Sequence, residues 1–438
     1  MTLSATSPAG GLNILMLVPH EPSLDPRIHY TAAGLAKRHT VKVVSTTRSR
    51  DKRPAAAANT QHGYEVVRLP YMMLPWPDMA WQAFSMQRAA GSSAHGGREP
   101  ASVAAEAFRL PLYRRLRTNV AYLLQTLAVN HTLQRYFATN PVRPDIIFCH
   151  DLYVLQTGVQ LKQQTGSPLV YDSHEYYAMQ FVHPTFVAST LWYERKLASH
   201  TDLRLTVSPQ LASELAAVLG TEAFEAIPNA EPRPSARVRP LGTEMASLAK
   251  GRVKFLYQGN FVEGRGLDDL LREWLAVDGD RATLFLRGPE NAVTAALRSQ
   301  AEQLKLLGRS VYFLPPVFEA DLIAAAAEAD IGIIPYKGDL PSYRFACPNK
   351  LSQYMHAGLA VLTNDIPFVA DMVRSHEMGW VYNVSRPGSL AEAVASALDA
   401  PALELCRARA HAAADTDYCW EVYEDKLLGL VDKVAAAR

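Results

Sequence analysis

Arg265 lies between Gly264 and Gly266 in YQGNFVEGRGLDDLL (257–271). An apolar run ends there at Gly259, and a helix-compatible pattern starts near Leu267. Glycines let a backbone approach a ligand closely. The free N–H groups and positive dipole end of a helix start favour an anion, and a guanidinium adds a charge-assisted bond. The chemistry this suits is phosphate binding. A Gly-rich turn is also often only a tight turn, so a second site on the same edge matters. SYRFACPNKLSQYMHAGLAVLTN (342–364) offers one. Pro348 suits the first turn of a helix. The N–H groups of Asn349, Lys350 and Leu351 would then be free, with the Lys350 ammonium beside a bound pyrophosphate. Gln353 stands one turn on, next to Tyr354. The same pattern also fits an amphipathic helix with a solvated lysine.

The first half has polar groups of another kind. CHDLYVL (149–155) puts His150 and Asp151 after one apolar run, and YDSHEYY (171–177) puts His174 and Glu175 after the next. PHEPSLDPRIHY (19–30) adds Asp25 and Arg27. Histidine–acid pairs suit proton handling or the orientation of a hydroxyl. The alternatives are structural histidines and, for Asp25 before Pro26, a helix N-cap. The spacing is not HExxH and nothing else suggests zinc, so no metal is expected.

These residues need a sheet edge to hold them. NILMLVP (13–19), a helical stretch 26–38 and TVKVVSTT (40–47) read as strand, helix, strand. Further strands are expected at 64–69, 145–150, 168–172, 202–208 and 224–229, with helices between most of them. PNAEPRPSARVRP (228–240) has four prolines in thirteen residues and reads as a linker. A second series follows at 253–259, 282–288, 311–315, 330–336 and 359–364, with helices at 267–275, 291–307, 321–328 and 390–413. The fold class is α/β, with two Rossmann-like, doubly wound halves. Ligands of such sheets bind beyond the carboxyl ends of the strands. The loops carrying Gly288 and Glu290, and Val317, should therefore line the phosphate edge. The terminal stretch 416–434 has an apolar helical stripe, Trp420 to Val431.

Composition removes several classes. At 438 residues, two or three domains are expected. Lys plus Arg is 44 against 43 Asp plus Glu, which gives no basic footprint for nucleic acid. Cys149, Cys347, Cys406 and Cys419 are far apart and form no CxxC, which fits a reducing cytoplasm. No signal peptide is expected from MTLSATSPAGGLN, and no run of eighteen apolar residues predicts a membrane span. No GxGxxG follows the first strand, and GxxxxGK[ST] and GxSxG are absent. These absences disfavour a dinucleotide dehydrogenase, a P-loop nucleotidase and an α/β-hydrolase. Residues 80–143 carry eight Arg, no Lys and two Glu, a local charge of +6. GSSAHGGREP (91–100) reads as a mobile loop, and FRLPLYRRLR (108–117) interleaves Arg with apolar residues. This segment is a solvated helix face or a contact for an anionic lipid surface or a phosphorylated acceptor.

Taken in order, these pieces resemble the GT-B glycosyltransferases, specifically the large retaining family 4. The resemblance rests on NILMLVP with DPRI, AAGLAKRHTVKVVS, PDIIFCHD, VYDSHE, LTVSPQLASEL and IPNAEP. It continues in FLYQGNFVEGRGLDDLL, LFLRGPE, ADIGIIPY, CPNKLSQYMHAGLAVLTN and YCWEVYEDKLL, and so covers nearly the whole chain. It implies two Rossmann-like domains facing across a cleft. An acceptor-binding domain would span 1–232, a linker 233–250 and a nucleotide-sugar-binding domain 251–415, with 416–438 packing back on the first domain. It implies no cofactor or metal, because helix dipoles and basic side chains neutralise the diphosphate leaving group. Arg265 takes the place of the family's basic residue in its Glu-Lys-Gly turn. Asn349, Lys350 and Leu351 match the donor motif. His150 matches a cleft histidine near the sugar. The chain departs from the family at Asn260, where another Arg is usual, and at Gln353, where the motif has the acid that binds ribose. It departs again at Phe345, in place of the first acid of Glu-x7-Glu. Tyr343, Arg344 or backbone groups would then hold the sugar.

The expected activity is retaining transfer from a nucleoside-diphosphate sugar to a hydroxyl acceptor, lipid-linked or saccharide. The setting would be bacterial polysaccharide or glycolipid assembly. The enzyme would be cytoplasmic, or peripheral at the inner membrane face through 80–143. His150, Arg265 and Lys350 would be catalytic, with Asp25, Arg27, Asp151, His174 and Glu175 on the acceptor side. The missing acids motivate a rival, a nucleotide-sugar-binding scaffold without turnover. An epimerase on the same architecture is the third reading.

Overall fold

The computed structural model describes residues 11–48, 56–59, 63–71, 112–180, 184–236, 238–337 and 341–437. The loop expected at 91–100 and the first residues of 108–117 lie outside them. Of the described residues, those up to Pro228 and from Tyr423 make one compact unit, and Asn229–Val422 make the other.

The first unit is built on β1 (Asn13–Val18), β2 (Thr40–Arg48), β3 (Ala56–Asn59), β4 (Tyr64–Tyr71), β5 (Ile146–His150), β6 (Leu169–Ser173), β7 (Leu203–Thr206) and β8 (Glu225–Ala226). Their order is β3-β4-β2-β1-β5-β6-β7-β8. All neighbours are parallel except β3, which pairs antiparallel with β4 at the edge. The second unit holds β9 (Val253–Gln258), β10 (Ala282–Arg287), β11 (Val311–Leu314), β12 (Ile331–Ile334), β13 (Ala360–Asn364) and β14 (Gly379–Tyr382). They form an all-parallel sheet in the order β11-β10-β9-β12-β13-β14. β5, β6, β10 and β13 are buried along their whole length, so their sequences are apolar runs rather than alternations.

Each run named above carries a strand; β3 and β14 add two that the pattern does not announce. The single helix expected over 390–413 is two, Ser389–Ala397 and Ala400–Thr416. Pro401 cannot continue a helix but suits a first turn, and Asp399 caps the new start by accepting from Ala402 N at 3.2 Å. The expected linker 233–250 contains a packed segment. Met245–Ala249 is a short helix with Met245 fully buried, and Thr243 N donates to Glu328 at 3.0 Å.

The core of the second unit fixes its phosphate-type loop. Phe261 and Leu267 are buried in one cluster with Phe255, Tyr257, Leu270, Leu271 and Trp274, so the loop is anchored at both ends. Full burial of each such side chain stabilises by about 1.5–3 kcal/mol.

The first unit buries an acid. Glu194, in the helix Pro184–Ala198, is fully buried and accepts from the Tyr171 hydroxyl at 2.8 Å. Burial raises its carboxyl from 4.5 to about 7, against the opposing Tyr171 bond. A carboxyl raised on folding stabilises fully below its unfolded value, and that stability is lost as pH rises to the folded value. Glu194→Gln is therefore expected to change stability little at pH 4. Above pH 7 it should raise stability by on the order of 1–3 kcal/mol. Urea midpoints at the two pH values check this; an equal shift at both would refute it.

Candidate active site

The strand order reverses direction once in each sheet, between β1 and β5 and between β9 and β12. Loops leaving the carboxyl ends of such strands diverge and open a crevice. His150 and Asp151 lie at the end of β5, and Arg265 and Lys350 follow β9 and β12, so these four stand at the two points.

In the second unit, Gly259 and the 260–266 loop follow β9, and Tyr336 follows β12. The Arg265 guanidinium lies 4.4 Å from the centre of the Tyr336 ring and 5.2 Å from that of Tyr343. Lys350 Nζ donates to the Tyr336 hydroxyl at 2.8 Å and stands 4.9 Å from both the Tyr257 and Tyr336 rings. Two cations thus share one tyrosine, and among the described residues neither has a carboxylate partner. Arg265 Nε is buried with no hydrogen-bond partner among them. Burial, reinforced by the Arg265 charge, holds the Lys350 ammonium well below its ordinary range. Aromatic faces favour a cation but leave its charge uncompensated. The arrangement is electrostatically prepared for an anion.

Backbone contacts hold that geometry. Gly266 has φ +72°, and a Cβ there would fall 1.7 Å from the Pro335 carbonyl oxygen. A Cβ on Gly288 would meet the Gly259 carbonyl oxygen at 2.2 Å. Only glycine admits these approaches. Gly264 also has positive φ, +83°.

The helix Asn349–His356 starts after Pro348, which is its N-cap rather than part of its first turn. Leu351 N donates to Pro348 O at 3.0 Å, so the expectation of three free N–H groups is corrected to exclude Leu351. Its side chain is fully buried. Asn349 is exposed and Gln353 buried. Gln353 Nε2 donates to Glu231 Oε1 at 3.0 Å, and Glu231 N donates to Ser352 Oγ at 2.8 Å. A carboxylate thus stands beside the amide where the sequence lacks an acid.

Other expected lining residues are spread more widely. Tyr343 donates to Glu263 O at 3.3 Å, next to the Arg265 loop. Asn260 and Arg344 are exposed, with the Arg344 guanidinium 5.9 Å from the Phe345 ring. Glu290 is exposed and pairs with Arg298 at 2.7 Å, which places its carboxylate on the outer helix Ala292–Gln303. Val317 is half-buried.

In the first unit, β5 and β6 end in a compact polar cluster. His150 is fully buried and stacks on Phe148, with ring centres 4.9 Å apart. Its Nδ1 lies 3.1 Å from His174 Nε2 and 3.3 Å from Asp172 Oδ2. His174 Nε2 lies 3.2 Å from the same Asp172 oxygen. On its other side, His174 Nδ1 is 3.5 Å from Asp25 and 3.6 Å from Asp151. His20 Nε2 approaches both of those acids at 3.8 Å. Asp151 has φ +71° and ψ 155°, and it makes no cap bond to the helix it precedes. Such backbone costs about 1–3 kcal/mol and is held only where other contacts demand it. Here it turns the carboxylate toward His174.

Arg27 is not a free acceptor-side cation. Its side chain is buried, donating to Asp172 at 3.0 and 2.7 Å and also to the Ile227 carbonyl. Glu175 stays exposed and accepts from Gln180. Asp25 caps the helix Pro26–Ala36, accepting from Arg27 N at 3.0 Å, while also reaching His174.

Electrostatics divide the two histidines. Burial lowers His150. Burial also opposes charge on His174, but the charges of Asp151 and Asp172, with the hydrogen bonds it donates to Asp172 and Asp25, outweigh it and raise His174 well above the usual range. Asp172 is held far below the carboxylate range because Arg27 and His174 overcome its burial. His150 Nδ1, Asp172 and His174 Nε2 are close enough together to face one cation. Both Asp172 oxygens are taken by the Arg27 fork, however, and a cation there would sit beside a guanidinium.

Three central residues escape the sequence reading: Tyr336, Asp172 and Glu231. The first two lie inside runs read only as strands. Glu231 lies in a proline-rich stretch read only as a linker. A polar residue at the carboxyl end of an apolar run is the available signal for Tyr336 and Asp172.

Residues 252–400 match the family model of the glycosyl transferases group 1, and residues 24–230 match that of the glycosyl transferase 4-like domain. No curated protein matches. Sucrose-phosphate synthase from Thermosynechococcus elongatus is 16% identical over 97% of this chain and 100% of its own, with a TM-score of 0.68. The α,α-trehalose 6-phosphate synthase of Burkholderia multivorans is 14% identical over 97% and 99%, with a TM-score of 0.69. HepE of Anabaena, solved in complex with UDP, is 14% identical over 96% and 100%, with a TM-score of 0.66. These three share the fold.

Proposed function

This chain belongs to the glycosyltransferases of the GT-B fold, and we propose that it moves a sugar from a nucleoside diphosphate to a hydroxyl acceptor with retention at the anomeric carbon. The observation that carries this reading is the pair Arg265 and Lys350, two cations on one tyrosine with no carboxylate partner among the described residues. A diphosphate supplies the missing negative charge. As the glycosidic bond breaks, negative charge grows on the leaving phosphate, and preplaced cations in a dry pocket stabilise that state more than the ground state. The phosphate oxygen takes the acceptor proton on the same face. The N–H groups of Asn349 and Lys350 add to the phosphate site. Gln353, with Glu231 beside it, holds the ribose hydroxyls. Asp25, Asp151, His150 and His174 form the acceptor side in the first unit.

The Glu231–Gln353 pair favours turnover over a scaffold, because it restores a carboxylate near the ribose position. Incubation with UDP-, GDP- and dTDP-sugars tests the reading. One donor is expected to yield slow release of free nucleoside diphosphate, accelerated by acceptor. Binding without release would leave the scaffold; a new nucleotide-sugar would indicate an epimerase.

An anionic membrane surface is the proposed location of a lipid-linked acceptor. Val120, Leu123, Leu124 and Leu127 are exposed on one stripe of the helix Leu112–Thr139, whose start carries Arg114, Arg115 and Arg117. Among the described residues no helix is long and apolar enough to cross a membrane. Co-sedimentation with anionic vesicles at low salt tests the contact, and its absence would remove it.

A further inference from the structure

The protons of the first-unit cluster can be placed by elimination. His174 Nε2 faces Asp172 Oδ2 at 3.2 Å. A carboxylate only accepts hydrogen bonds. His150 Nδ1 lies 3.3 Å from the same oxygen, but it is His174 Nε2 that meets it with hydrogen-bond geometry, so His174 Nε2 carries the proton. The same nitrogen faces His150 Nδ1 at 3.1 Å. Two N–H groups cannot point at each other at that distance, so His150 Nδ1 is an acceptor. The one proton of a neutral His150 must then sit on Nε2. That atom is buried and has no hydrogen-bond partner among the described residues.

Charge counting gives the same protonation. Asp25, Asp151 and Asp172 surround His174, and among the described residues only Arg27 answers them from a buried position. A neutral His174 would leave three carboxylates against one guanidinium. With both nitrogens protonated, the His174 Nδ1–H faces Asp25 at 3.5 Å and Asp151 at 3.6 Å, and its Nε2–H donates toward Asp172 and His150.

We propose that His174 is a positioning residue: held as a cation by Asp25, Asp151 and Asp172, it fixes His150 in the Nε2–H form, so that His150 offers a donor to an oxygen of the sugar substrate and does not act as a general base. The proposal rests on the glycosyl-transfer reading only for the identity of that oxygen. A buried N–H without an acceptor is costly, and a hydroxyl oxygen, direct or through one ordered water, satisfies it. It also means that removal of the acceptor proton falls to another group, in keeping with the leaving phosphate.

The test uses the full chain labelled with ¹⁵N-histidine, with His150 identified by its loss in His150→Gln. Long-range proton–nitrogen spectra at neutral pH are expected to show His150 protonated at Nε2 alone and His174 protonated at both nitrogens. In His174→Phe, which keeps a ring but no donor, the His150 proton should move to Nδ1, toward Asp172. The turnover number should fall by about tenfold with KM for the donor unchanged. His174→Gln, which keeps an N–H facing His150, should retain the Nε2–H form and recover most of the turnover. A wild-type His150 protonated at Nδ1 overturns the proposal, even if His174→Phe does not fold. An unchanged tautomer in folded His174→Phe overturns it too. If the tautomers behave as stated but wild type transfers no sugar from any donor, the glycosyl-transfer reading fails and the proton assignment stands.

Discussion

Lys350→Met is expected to lower the turnover number by about 10²- to 10³-fold, the range for loss of one preorganised charge-stabilising donor, while raising thermal stability. Methionine keeps the unbranched stem that runs close to Gly259, where an added Cβ would lie 3.7 Å from Lys350 Cε and Nζ. Only the charge and the donor to Tyr336 are lost. The stability gain follows from the direction of the lysine's shift. Burial and Arg265 hold its folded value well below 10.5. The unfolded chain carries this charge at neutral pH, and folding must desolvate or neutralise it. That penalty is present below the folded value and fades as pH rises toward 10.5. Removing the group removes the penalty, so Tm should rise at pH 7 and the gain should vanish near pH 10.5. Activity and stability moving in opposite directions mark a residue kept for function. A bound diphosphate would raise Lys350 back toward its ordinary range, so any proton this group exchanges on binding is taken up, not released. Calorimetry in two buffers of different ionisation enthalpy reads this directly. Near-normal turnover in the variant would refute the phosphate assignment.

How much of this was legible depended on the range of the interaction. The runs of β1, β5, β9 and β12 are apolar because both faces of a parallel sheet are covered, and that is a local signal. The loops after them inherit their position from topology, so Arg265, Lys350, His150 and Asp151 could be named without a structure. Their partners could not. Arg27 and Asp172 are 145 residues apart, and Gln353 and Glu231 are 122 apart. Nothing in the neighbourhood of either residue specifies the other. Glu290 shows the same blindness from the other side: it follows a strand of the right sheet but pairs with Arg298 one helix out. β3 is Ala-Ala-Ala-Asn, with little β preference, and is recruited by pairing with β4. The break at Pro401 was different in kind, because Asp399 and Pro401 are a local helix-start signal inside an alanine-rich pattern that masks it.

Arg27→Met is expected to destabilise the first unit by about 3–5 kcal/mol, the cost of breaking a buried ion pair from one side. The Arg27 and Asp172 side chains are 4% and 1% exposed, and the fork makes two parallel bonds to the carboxylate. Deleting the guanidinium leaves Asp172 charged and buried, with His174 as its one strong counter-charge, and frees the Ile227 carbonyl. Asp172→Asn alone should cost a similar amount, because it strands Arg27. The double variant should recover much of the loss, since two neutral groups need no compensation. Additive losses in urea unfolding would refute the coupling. The pH dependence carries a sign. Arg27, with His174, holds Asp172 far below 3.8 against burial. A carboxyl lowered on folding stabilises above its unfolded value and loses that contribution as pH falls through its folded value. Without Arg27 the folded value rises, so the acid transition of Arg27→Met should begin at a higher pH than that of wild type. Because Asp172 also receives the His174 proton, the same variant should disturb the His150 tautomer. That effect separates Arg27 as the strut of the cluster from a ligand-binding arginine, whose loss would raise KM and leave the acid transition where it was.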